Sequence, residues 1–128
     1  MRRVAITGIG IVSCIGNSTA EVSESLKNGK SGISRADKYV ELGFRSQIYG
    51  MPALDIEARV DKRVRRFMGE GAAWNYVAME QAIADAGLEE NDIINPMTGL
   101  IMGSGGPSTR TLVEAADTTR DSGPQRNG

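Results

Sequence analysis

Residues 98–110 read TGLIMGSGGPSTR, an apolar run that empties abruptly into glycines. Leu100, Ile101 and Met102 predict a buried strand. Gly103, Gly105 and Gly106 then strip all β-carbons but one from the turn that follows, so that a second backbone or a slender ligand can approach closely. In α/β folds such loops sit at the carboxyl ends of strands, where ligands bind. The same glycines are equally compatible with a tight strand-to-helix turn that holds nothing.

Upstream of this stretch, Glu89 to Met97 with Asn95-Pro96 reads as a polar loop. Before it lies the clearest helix. Ala72, Tyr76, Met79, Ile83 and Ala86 recur at alternating four- and three-residue steps, Gly87 stops the helix, and Leu88 is placed for the apolar contact of a Schellman cap. Trp74 and Tyr76 read as core or interface residues. Further upstream, Arg59, Lys62, Arg63 and Arg66 fall at i, i+3, i+4 and i+7, one basic helical face, with Val60, Val64 and Phe67 opposite and Asp61 the only acid among them. A solvated surface explains such a stripe as well as an anionic partner does, but uncompensated like charges destabilise a helix, which gives the partner weight.

At the amino terminus, residues Arg3 to Ile9 predict a first strand ending in Gly8 and Gly10. Arg2 and Arg3 before an apolar run imitate a signal peptide, and Cys14 a lipidation site, but Thr7, Gly8 and Gly10 interrupt the run. No stretch approaches the roughly 20 apolar residues of a membrane span, so a soluble cytoplasmic protein is expected. The dinucleotide fingerprint G-x-G-x-x-G fails as well, since Ser13 occupies its third glycine position. Ser18 and Glu21 form a capping box for a short surface helix that uses Val22 and Leu26 and stops at Asn28-Gly29. Lys30 to Leu54 reads as a loosely structured excursion, with Arg45 to Tyr49 a hairpin arm or edge strand. After Pro107, Leu112 to Ala116 starts a helix, and Asp117 to Gly128 carries no apolar residue.

The 128 residues suit one compact α/β domain or part of one, 40% hydrophobic and 24% charged. Fifteen basic against 16 acidic residues leave a net charge of -1, which argues against a global attraction to nucleic acid or anionic membrane. The basic helix also lacks the interleaved aromatics that stack on bases. Cys14 is the single cysteine and histidine is absent, which removes an internal disulfide, a Cys/His metal site and any histidine base. Cys14 reads as a small packing residue. Two strands with their helices cannot cover both faces of a parallel sheet, so further strands are expected downstream of residue 128 or on a partner.

Six segments in register, RRVAITGIGIVSCIGN, SLKNGKSGI, FRSQIYG, DKRVRRFM, MEQAIADAGL and GLIMGSGG, carry a resemblance over the whole chain. It resembles the amino-terminal portion of the β-ketoacyl-acyl carrier protein synthases of fatty acid synthesis, the bacterial synthase I branch above all. The resemblance implies a thiolase-like layered α/β/α/β/α fold, of which residues 1–128 hold the first strands and helices of the amino-terminal half, in an enzyme that is homodimeric when complete. It implies acyl transfer onto a cysteine and decarboxylative condensation with malonyl-acyl carrier protein, with two histidines stabilising the charge that develops. None of those three residues matches here, so no catalytic residue is assigned and these 128 residues alone are expected to be inactive. No metal is implied, and no resident cofactor, since 4'-phosphopantetheine arrives on the carrier protein. Lys62, Arg63 and Arg66 match the family's positions for acidic acyl carrier protein, with Lys and Arg exchanged at the first two, and Arg45 matches another. Gly106 matches the position beside the acyl channel, although Pro107 stands where a further glycine is usual. A non-catalytic carrier-protein-binding or structural module is the alternative.

Overall fold

A computed structural model describes residues 2–126. In order it contains α1 (Thr19–Lys27), β1 (Ile33–Arg35), α2 (Asp37–Glu41), β2 (Ile48–Gly50), α3 (Ile56–Arg59), α4 (Lys62–Arg65), α5 (Glu70–Asp85), α6 (Glu90–Ile93), α7 (Thr109–Ser122) and a 3-10 turn, Pro124–Arg126.

The short helices follow their capping chemistry. At α1 the Ser18 hydroxyl accepts the Glu21 N–H at 3.2 Å, while the Glu21 carboxylate accepts from Asn17 rather than from Ser18, so the expected box is shifted by one residue. Both α1 and α5 end in Schellman caps. Gly87 has φ 65°, and Leu88 N–H donates to the Ile83 carbonyl at 3.2 Å. Because this φ suits glycine and no atom lies near a β-carbon there, Gly87→Ala should cost about 1 kcal/mol from backbone strain alone, read as a lowered Tm.

Four expectations change. Residues 3–9 and 100–102 form no ladder among the described residues. A strand exists only by pairing with a neighbour, and here none is paired to either segment. The amino-terminal segment instead lies along α5, where Asp85 accepts the Ile9 N–H at 2.9 Å and Gln81 accepts that of Ile11 at 3.2 Å. Gly8 and Gly10 are therefore not turn glycines. A β-carbon on either would overlap α5 backbone, that of Ala82 and Ala86 or of Ala78.

The second change concerns α5. Its buried residues are Ala73 and Val77, one position away from the Ala72–Tyr76 series, because Ala, Trp and Val surround this helix so fully that period alone does not select a face. Third, the supposed polar loop at 89–97 contains α6, closed by reciprocal bonds between the Glu89 and Asp92 side chains and backbone. Fourth, α7 starts at Thr109 and runs past the apolar residues to Ser122. Ion pairs from Arg110 to Glu114 and Arg120 to Asp117 add to it, a source of helix stability that apolar spacing does not register. The last two residues of the Asp117 to Gly128 segment lie outside the described residues.

The excursion between Lys30 and Leu54 is better ordered than its composition suggests. β1 and β2 pair antiparallel, with Ser34 opposite Tyr49. Tyr39 packs on Phe44 and Tyr49 at ring-centroid distances of 5.2 and 6.2 Å. The Arg45–Tyr49 alternation thus did mark a hairpin arm.

The core is small: among the described residues, Val22, Ala36, Val60, Ala73 and Val77 are the buried apolar ones. The chain exposes 10674 Å², against about 6,600 Å² for a compact protein of this mass. Large apolar residues contribute to it, with Val4 93% and Ile101 96% exposed. Apolar surface on that scale marks a site of association.

Candidate carrier-protein face and acyl cleft

The basic residues do not lie on one helix. Val60 (φ -120°, ψ 126°) and Asp61 (φ -53°, ψ 134°) are extended and divide α3 from α4. Asp61 spends its carboxylate on capping: its Oδ1 accepts the Arg63 N–H at 2.7 Å. Arg59 therefore belongs to α3, while Lys62 and Arg63 open α4 and Arg66 sits in the turn that ends it. The apolar side breaks up with the helix, since Val60 is buried whereas Val64 and Phe67 face solvent.

Within residues 62–66 only Arg65 is ion-paired among the described residues, to Glu57 at 2.6 Å. Lys62, Arg63 and Arg66 are exposed and have no acidic partner there. The Arg66 guanidinium lies 4.4 Å from the centroid of the Phe67 ring, a cation–π contact that spacing alone did not reveal. Arg45, in the bend before β2, is likewise exposed and unpaired among the described residues, and no hydrogen bond joins it to the α4 group. Nearby on α5, Tyr76 has its phenol pKa raised, first by the charge of Glu80 one turn on, then by its hydrogen bond to that carboxylate and by slight desolvation and Asp61.

Gly106 lies elsewhere. It lines an open cleft of about 640 Å³ between the first turn of α5 and residues 102–108, with Trp74, Met102 and Ser108 among the walls. The Arg110–Glu70 ion pair at 2.6 Å ties the start of α7 to that of α5 below it. None of Gly103, Gly105 and Gly106 has a positive φ, and no atom lies within 4 Å of a β-carbon built on any of them. The glycines therefore keep the cleft wide rather than admit a neighbouring backbone of the described residues. Trp74, read from the sequence as a core or interface residue, is a wall of this cleft, a place that its spacing along α5 did not reveal.

Cys14 is half-buried and packs against Gly32 and Gly50, as a small packing residue would. Among the described residues no three metal-ligating side chains cluster, and no helix is long and apolar enough to cross a membrane.

Comparison with known proteins gives the family of the chain. Residues 1–127 match the family model described as "Beta-ketoacyl synthase, N-terminal domain". The chain is 46% identical over 120 residues to 3-oxoacyl-[acyl-carrier-protein] synthase 1 of Haemophilus influenzae, and 47% identical over 121 residues to that of Escherichia coli K12. Each match covers 94% of this chain and 30% of the relative, so the chain spans under a third of their length. A crystal structure of a β-ketoacyl synthase from Burkholderia phymatum superimposes with a TM-score of 0.77 at 28% identity, over 99% of this chain and 32% of that one. The α/β, thiolase-like fold class is therefore present in part, its backbone path followed even where the ladders are unpaired. By sequence and by fold, the chain belongs to the β-ketoacyl synthase family, whose amino-terminal domain it matches.

Proposed function

We propose that this chain supplies the carrier-protein-docking face and one wall of the acyl channel of a homodimeric, cytoplasmic β-ketoacyl-acyl carrier protein synthase of fatty acid synthesis. In that reaction an acyl group passes from a carrier-protein thioester to an enzyme cysteine. Malonyl-carrier protein then loses carbon dioxide, and its carbanion attacks the acyl carbonyl and releases the cysteine. The 128 residues contain no histidine and only Cys14, so they bring recognition and not the condensing chemistry. That same composition is what supports the alternative, a carrier-protein-binding or structural module without catalysis.

One observation carries the reading. In a chain of net charge -1, three exposed cations, Lys62, Arg63 and Arg66, stand without an acidic partner among the described residues. An acidic protein presenting a 4'-phosphopantetheine thioester would neutralise them, and Arg45 is a further contact. Titration of the chain with acyl carrier protein should give binding that weakens as salt rises from about 50 to 300 mM. Binding that ignores salt, or no binding, would contradict it.

The cleft yields its own prediction. Gly106→Ile has room to be accommodated, since no atom lies within 4 Å of its β-carbon. Its side chain then occupies space that an acyl tail would use. In a synthase carrying this segment, kcat/KM for long acyl chains should fall about tenfold or more relative to short ones. An unchanged chain-length profile would remove Gly106 from the channel.

A further inference from the structure

Phe67 is 71% exposed at the end of α4, immediately after the unpaired Arg66, whose guanidinium covers one face of its ring. A phenyl ring left in water is unfavourable unless something covers it, and here a cation does so only in part. The backbone holds it firmly in that place, because Phe67 N–H donates to Val64 at 3.2 Å and Met68 N–H to Arg65 at 2.9 Å. The ring is therefore presented at the surface beside three cations that have no acidic partner among the described residues.

We infer that Phe67 is the apolar anchor of this face: the acidic partner sets carboxylates against Lys62, Arg63 and Arg66 and an apolar side chain against the Phe67 ring. The inference rests on the carrier-protein reading and adds to it the second chemical feature the partner must have. The charges accelerate encounter and are screened by salt, whereas the ring slows departure and is not. Salt alone can tell the two contributions apart.

The test is equilibrium binding of acyl carrier protein to the full 128-residue chain at several salt concentrations, with wild type, Phe67→Ser, Phe67→Leu and the Arg63→Glu/Arg66→Glu double variant. Phe67→Ser should raise Kd about fivefold at every salt concentration and leave the slope of log Kd against log salt unchanged. Phe67→Leu, which keeps an apolar surface, should stay within about twofold of wild type. The double variant should flatten the slope. A Phe67→Ser Kd within twofold of wild type, beside a flattened slope in the double variant, would overturn the anchor and leave the docking face standing. A salt slope untouched by the double variant, or no binding by wild type, would overturn the docking face and the anchor with it.

Discussion

Replacing Arg63 and Arg66 together by glutamate is expected to lower kcat/KM for carrier-protein substrates by about 100-fold in a synthase that carries these residues in place of its own matching segment. Two reversals change the local charge by four units on a face where, among the described residues, Lys62 is then the cation of α4 and its closing turn left without an acidic partner. An acidic partner is then repelled where it was attracted, and the loss falls on association. A small thioester mimic carries no such charged surface, and its kcat/KM should stay within about twofold of wild type. The gap between the two substrates should narrow at high salt, because the screening length falls to about 3 Å at 1 M. Equal losses with both substrates would mean that the two arginines support the fold or the reacting atoms instead. Their exposure and the absence of ion pairs among the described residues argue that neither arginine props up the fold.

The second large effect is on stability. Gly10→Val should destabilise the chain by about 3 kcal/mol or more, since its β-carbon would overlap the Ala78 carbonyl of α5 and cannot be accommodated by turning a side chain. The segment would have to lift from the helix, which also breaks the Ile9–Asp85 and Ile11–Gln81 hydrogen bonds. Gly105→Ala is the matched control: its β-carbon meets nothing within 4 Å and its φ is not positive, so a change below about 0.5 kcal/mol is expected. Denaturant midpoints measured side by side decide it. Equal effects of the two substitutions would show that the amino-terminal segment does not sit on α5.

These two cases mark what could be read from residues alone. The Schellman cap at Gly87 and the helix before it were legible, because glycine and period are local signals. So was the hairpin arm around Tyr49. The strands at 3–9 and 100–102 were read from apolar content, but pairing depends on a neighbour that local sequence does not name. The basic stripe failed as a single helix for a different reason. Asp61 counts as one more helical residue in a periodicity argument, yet it serves as a cap and ends the register between Arg59 and Lys62. Spacing grouped Lys62, Arg63 and Arg66, which the structure leaves exposed in and just after α4, but placed Phe67 on an apolar side, where the structure exposes it beneath Arg66. At Gly106 the glycine run pointed to a loop that lines a cleft, while the opposite wall, Trp74 and the first turn of α5, is brought there only by tertiary folding.

The most direct measurement is amide chemical-shift mapping of the isotopically labelled 128-residue chain during titration with unlabelled acyl carrier protein. The account predicts shifts concentrated from Lys62 to Phe67, weaker ones at Arg45, and their disappearance in high salt. Shifts centred on the apolar 100–102 segment, with Lys62 to Phe67 unmoved, would contradict it.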